Sequence, residues 1–167
     1  SHYEESLRVP LVIYDPRAPK ARRVKLPENM VLNLDIPATI LDYAGVKIPG
    51  HYQGRSLQLL MAGGGWKQWR TDTFCEHLMH HPEIPKWEGV RGPRFVYARY
   101  FEQQPVYEYL HDLKNDPDQL KNLAGDTMYA KELAAARKRT DELRDSYGGK
   151  FNLQRILDFR KNRGRKK

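Results

Sequence analysis

Four short segments between Asp72 and Leu113 constrain the fold more than any other feature of the chain. Asp72–His77, Gly89–Arg91, Arg94–Phe101 and Val106–Leu113 are rich in aromatic and β-branched residues and are separated by Pro and Gly, with Pro93 and Pro105 marking two turns. Runs this short, bounded by residues that break helices, read as strands of an antiparallel meander. Beyond Asp116-Pro117 the pattern turns helical: Tyr129 to Tyr147 is a mixture of Ala, Leu, Lys, Arg and Glu, stopped by Gly148-Gly149. A sheet followed by such a helix can bury one face beneath it.

The residues before Asp72 read differently. Leu7–Tyr14 (LRVPLVIY), closed by Asp15-Pro16, predicts a buried strand with Pro10 near its beginning, where a missing amide donor is tolerated. Arg17–Pro27 carries no periodic pattern and reads as a surface loop. Asp35-Ile36-Pro37, then Ala38–Ala44 and Gly45, predicts a short helix with an acidic cap, Pro in the first turn and Gly past the end. Ile36, Ile40, Leu41 and Ala44 share one face of it, which predicts that this face is packed. Ser56–Met61 reads as a second helical piece ended by Gly63-Gly64-Gly65, a run without the Lys-Ser or Lys-Thr of a phosphate loop. Phe151–Phe159 is a last amphipathic piece. The order gives an α/β fold class with an α+β character: the end of an α/β core at 1–66, an antiparallel sheet plus helix at 67–149, and a basic tail at 150–167.

Composition narrows the function classes. With 167 residues, 40% hydrophobic and 30% charged, the chain has apolar content for a core and is too apolar for a disordered protein. Its longest apolar runs, such as Val9–Tyr14, fall far short of the ~20 residues of a membrane span. The single cysteine, Cys75, excludes an internal disulfide framework. The net charge of +8 is concentrated in Lys150–Lys167, where eight basic residues stand against one acid, and the remainder is near neutral. Such a tail is either a solvated run or a salt-sensitive contact for polyanions. The opening Ser1-His2-Tyr3, without Met or signal segment and already inside a patterned region, is the opening expected of a fragment.

The densest reactive cluster is Cys75-Glu76-His77-Leu78-Met79-His80-His81. On a helix His77 and His81 would lie one turn apart and could share a metal, but the segment reads as strand running into a loop with Pro82 and Pro85, which removes that geometry. A polar pocket wall and plain surface histidines both remain open. Cys75 as a nucleophile requires a base and a lowered pKa, and a half-buried strand cysteine is the simpler reading. No Gly-x-Ser-x-Gly elbow exists. Glu4-Glu5 and the pair Asp116 and Asp118 read as helix or turn caps.

An ordered series of motifs carries a resemblance. Tyr3–Tyr14 (YEESLRVPLVIY) is similar to a signature of type I sulfatases, arylsulfatase-like members of the alkaline phosphatase superfamily. Asn33–Val46 resembles their N-x-D-I-x-P-T-[IL]-L-D-x-A-G helix, with Pro37 and Ala38 transposed, and Tyr52–Leu57 resembles their Q-G-x-S-L turn. Trp69-Arg70 with Glu76-His77, then Gly89-Val90-Arg91, and Tyr107–Pro117 followed by Asn122-Leu123-Ala124, match later pieces in the same order. His111 stands where the family usually has Tyr, and Gly92 where it has Thr.

The resemblance implies the C-terminal portion of a sulfatase (sulfuric ester hydrolase) that cleaves sulfate monoesters, with sulfated carbohydrate or aryl sulfate as substrate. In the family the nucleophile is a formylglycine made in a C/S-x-P/A-x-R motif beside a calcium ion. This chain has no such motif, and the family's calcium ligands and sulfate-contacting Lys lie ahead of Ser1. No catalytic residue, metal or cofactor is therefore expected within the chain, which is expected to be inactive without its N-terminal sulfatase half. The resemblance assigns the loop His77–Glu88 and its neighbours to the substrate pocket wall, with His77, His80, His81, Trp87 and Arg91 as candidates. It also implies a periplasmic or secreted protein; the short apolar runs predict no membrane span, and nucleic acid is not the partner expected. The competing readings are a non-catalytic polyanion- or glycan-binding module using the basic tail, and a phosphoester or phosphonate hydrolase of the same superfamily.

Overall fold

The computed structural model describes residues 1–16, 29–62, 69–79 and 81–150. The chain divides into two compact units, one made of Ser1–Leu7 with Phe74–Lys167 and the other of Arg8–Thr73. The predicted loop Arg17–Pro27, the Gly63–Gly65 run and the amphipathic piece Phe151–Phe159 lie outside the described residues.

The first unit is built on a four-stranded antiparallel sheet whose spatial order follows the chain: β1 (Thr73–His77), β2 (Trp87–Arg91), β3 (Phe95–Tyr100) and β4 (Tyr107–Asp112). Each strand coincides with one of the four segments read from the sequence. Val90 faces Tyr97, and Tyr97 faces Leu110, so the three stand in one row across the sheet. This row forms the core with Leu123, Leu133 and Leu143, the last two from α4 (Ala130–Ser146), and Phe74 and Phe95 pack around it. Gly89 is required by close approach: a Cβ there would lie 2.0 Å from the Tyr97 carbonyl oxygen.

Charges fix α4 on the same face. Glu88 on β2 accepts from Arg99 Nε on β3 at 2.8 Å, and Arg144 of α4 donates to Glu88 at 3.3 Å and to Asp141 at 2.7 Å. Glu88 and the Arg144 side chain are both buried, so each carries its counter-charge with it, as burial demands. The return from β4 to α4 is tied by polar side chains. Asp112 accepts two hydrogen bonds from Arg94, at 2.8 and 2.6 Å, while Asn122 accepts from the Leu110 and Ala124 amides, both at 3.0 Å, and donates to the Glu108 carbonyl at 2.9 Å. Asp116 accepts from the Leu120 and Lys121 amides and so acts as the turn cap expected of it.

The second unit contains α2 (Asp35–Tyr43) and α3 (Gln58–Met61), with Leu57, Leu60 and Trp69 as its buried apolar cluster. Its centre is Asp35, fully buried, whose carboxylate accepts from Arg70 at 2.5 and 2.8 Å and from the Leu32 and Arg55 amides, each at 2.8 Å. Asp35 is therefore a hub between segments. The acidic cap expected there is not formed, because the N-cap position is Leu34 and makes no side-chain cap bond.

Two expectations for this unit are overturned. Leu7–Tyr14 is no strand: Leu7 ends the single-turn helix α1 (Glu4–Leu7), residues 8–15 have no regular structure, and Val12 and Tyr14 are 89% and 85% exposed. A strand exists only beside another strand that takes up its amides and carbonyls, and the described part of the second unit offers none. The face of α2 that bears Ile36 and Ile40 is likewise exposed, Ile40 at 62%. The Asp35 hub and the Thr39 hydroxyl, which donates to the Asp35 carbonyl and accepts from the Leu57 amide, turn the opposite face of the helix inward.

Candidate functional site

Side chains alternate along a strand, so the face of the sheet opposite α4 carries Trp87, Gly89 and Arg91 from β2, Val96, Ala98 and Tyr100 from β3, and Tyr107, Tyr109 and His111 from β4. The register sets Gly89 opposite Ala98 and Ala98 opposite Tyr109, and Arg91 opposite Val96 and Val96 opposite His111. The segment Ser1–Leu7 lies on this face. His2 meets Tyr109 at 4.8 Å and His111 at 5.4 Å between ring centroids, with Tyr100 at 5.8 Å and Trp87 at 6.1 Å, edge-on. Glu4 anchors the other end of the segment: its carboxylate accepts from Arg91 Nε at 3.1 Å and Nη2 at 2.8 Å, and its amide donates to Gln119 Oε1 at 2.5 Å. Gln119 has a left-handed backbone, φ 53°.

The two histidines form a directional chain. His111 Nδ1 lies 3.0 Å from the Lys121 carbonyl oxygen, which can only accept, so that nitrogen carries the proton. The Nε2 of neutral His111 is then a lone pair and accepts from His2 Nε2–H at 3.3 Å. His2 Nδ1 is left as an acceptor, and the Tyr100 hydroxyl donates to it at 3.0 Å. Both rings are 1% exposed. Burial, with His111 adding to it, holds the His2 pKa down to about 4. Burial also lowers that of His111, against the opposing pull of the Lys121 carbonyl and Asp116, and pushes the Tyr100 hydroxyl up to about 12.

The candidate pocket-wall residues are distributed unevenly over this arrangement. Trp87 and Arg91 share the face just described, but Trp87 is buried, its Nε1–H without a partner, and Arg91 is committed to Glu4. His77 ends β1 half-buried, with its Nε2 also unpartnered. His81 is exposed in the following loop, where its Nδ1 accepts from the Glu83 amide at 3.2 Å, and His80 lies outside the described residues. The four described candidates are therefore not gathered at one open surface. Cys75 is half-buried and its thiol is pushed up to about 11 by burial, the opposite of an activated nucleophile. Among the described residues no three His, Cys, Asp or Glu side chains converge to hold a metal ion, and no helix is long and apolar enough to cross a membrane.

Sequence reasoning missed His2 and the partnership of His2 with His111. The only available signal was His111 standing in place of Tyr, and pairing across 109 positions has no periodic signature.

Comparison with known proteins places these features in a family. Residues 1–146 match the model of the family described as N-sulphoglucosamine sulphohydrolase, C-terminal. The chain is 30% identical over 149 residues to an N-acetylglucosamine-6-O-sulfatase of Bacteroides thetaiotaomicron, covering 87% of this chain and 26% of that protein. It is 33% identical over 146 residues to a Delta 4,5-hexuronate-2-O-sulfatase of the same organism, covering 85% and 29%. Among solved structures, one described as a complex with its substrate D-glucosamine-2-N,6-O-disulfate superimposes with a TM-score of 0.60 at 26% identity, covering 68% of this chain and 24% of that one. The chain thus spans about a quarter of the length of the curated relatives it matches. Matched over nearly its whole described length, the chain belongs to the C-terminal sulfatase family of the alkaline phosphatase superfamily.

Proposed function

We propose that this chain is the C-terminal part of a sulfatase that hydrolyses sulfate monoesters of a carbohydrate to the free hydroxyl and inorganic sulfate. The observation that carries this is the unbroken match of residues 1–146 to the family, joined to two relatives at 30% and 33% identity that are both named for sulfated sugars. In this reading the edge of the α/β core, read from the sequence as 1–66, begins after Leu7, and 67–149 with Ser1–Leu7 on its sheet is the C-terminal subdomain. The exposed Val9, Leu11, Val12 and Ile13, with Ile36 and Ile40 of α2, are apolar surface that the N-terminal half of such an enzyme would cover.

The described residues do not fit a calcium site, since no triad of suitable ligands converges among them, and the formylglycine motif is absent from the sequence. Both belong, on this proposal, to the part of the enzyme ahead of Ser1, and export to the periplasm or the medium goes with the family. The substrate wall is formed by the loop after β1, with His77, His80 and His81 as its polar groups. Trp87, packed against His2 and Tyr100, and Arg91, tied to Glu4, complete the proposed wall. The proposal is tested by sequencing the natural gene upstream of Ser1 and mapping the mature protein by mass spectrometry. A C/S-x-P/A-x-R motif carrying the mass of formylglycine is expected, and a full-length protein without that motif would overturn the reading.

A further inference from the structure

The face of the sheet opposite α4 holds its N-terminal segment through two kinds of contact: the Glu4–Arg91 ion pair with the Glu4–Gln119 hydrogen bond at one end, and the His2–His111 pair at the other. The histidine pair is unusual in what surrounds it. The groups that face it are Tyr3 on its own segment, Trp87 on β2, Tyr100 on β3 and Tyr109 on β4, with the Lys121 carbonyl beyond His111. Asp116 acts on His111 through the field alone, and Arg91 is already balanced by Glu4. Among the described residues no carboxylate is hydrogen-bonded to either imidazole.

That environment accommodates two neutral rings. One added proton can be bonded only if the Tyr100 hydroxyl turns round to accept, and it leaves a cation 1% exposed among aromatic rings with no bonded anion. A second proton sets Nε2–H against Nε2–H across 3.3 Å. We infer that His2 and His111 form a proton-sensitive latch, which holds Ser1–Leu7 on the sheet while both rings are neutral and releases it when the pair is protonated.

The sign follows from linkage. Both rings bind protons more weakly when docked than when released, so release becomes easier as pH falls below the ordinary histidine value of 6.5, and the gain levels off near the docked value, about 4 for His2. His2 alone raises the equilibrium for release by about 60-fold between pH 7 and pH 4.5, and His111 adds to this in the same direction. The Glu4–Arg91 contact is present in both arms of the test and separates the latch from other titrating groups.

The experiment is hydrogen exchange of the peptide containing residues 1–7 in the full-length natural protein from pH 7 to pH 4.5, corrected for the intrinsic exchange rate. It is run on the wild type and on His2→Gln/His111→Gln, whose amides bond but do not take up protons in this range. Opening that rises tens-fold in the wild type and stays nearly flat in the double variant is expected. An equal rise in both, or a wild-type change below threefold, overturns the latch. If the double variant does not fold, imidazole nitrogen NMR of the wild type decides. His2 protonated on Nε2, His111 on Nδ1 and both rings neutral at pH 5.5 support the latch, whereas either ring titrating near 6.5 overturns it.

Discussion

Replacing Arg70 by Met removes a guanidinium bonded through two nitrogens to a carboxylate that has no access to solvent. Asp35 is 0% exposed and accepts four hydrogen bonds, two of them from the Arg70 guanidinium at 2.5 and 2.8 Å. In Arg70→Met the two backbone amides of Leu32 and Arg55 remain, but the negative charge loses its counter-ion, and breaking a buried pair in this way costs about 3–5 kcal/mol. The remaining amide donors place this site at the lower end, about 3 kcal/mol. For a urea dependence of about 2 kcal/mol per molar, that lowers the unfolding midpoint by about 1.5 M, with α2 amides exchanging first. Adding Asp35→Asn removes the stranded charge while keeping an acceptor for one amide, so the double variant recovers about 1–2 kcal/mol of the loss. A cost for Arg70→Met below about 1 kcal/mol, or a double variant less stable than the single one, would refute the hub.

Three further outcomes follow from packing and chemistry. Gly89→Val forces a Cβ to within 2.0 Å of the Tyr97 carbonyl and is expected to break the β2–β3 pairing, lowering the melting temperature by about 10 °C or abolishing soluble expression. Gly125→Ala, with nothing within 4 Å of its Cβ, is the control, and equal behaviour of the two would contradict the register. Cys75, with its thiol pushed up to about 11, should react with a disulfide reagent at pH 8 about 200-fold more slowly than a free thiol of pKa about 8.5, on thiolate fraction alone; labelling at the free-thiol rate would show that the cysteine is not buried as described. The 167-residue chain alone should release no sulfate from 4-nitrophenyl sulfate with calcium present, and turnover by it would mean that the catalytic centre lies within these residues.

The sheet was legible because its signals are local: Pro93 and Pro105 bound segments whose aromatic residues fill a pleated face, and each segment became a strand. The helix at Asp35 was legible for the same reason, yet its buried face was not. The apolar stripe through Ile36 and Ile40 points outward because a buried carboxylate, bonded from Leu32, Arg55 and Arg70, outweighs the periodicity of the helix. Leu7–Tyr14 carries the composition of a buried strand, but composition cannot supply the neighbouring strand that would make it one. At the candidate site, residue type singles out Trp87 and Arg91, but their engagement, one buried and one paired with Glu4 across 87 positions, depends on the segment that folds back over the sheet. The His2–His111 chain is the extreme case, since neither residue has a local partner that marks it.

The central claim, a sulfatase directed at sulfated sugars, is tested most directly by measuring kcat/KM of the full-length natural protein for 6-O-sulfated N-acetylglucosamine, a 2-O-sulfated unsaturated hexuronate, 4-nitrophenyl sulfate and a phosphonate monoester. Release of inorganic sulfate from one of the two sugars, at an efficiency at least tenfold above that for the aryl sulfate and the phosphonate, is the predicted result. Preference for the phosphonate, or no sulfate release from any substrate by a correctly processed protein, would contradict it.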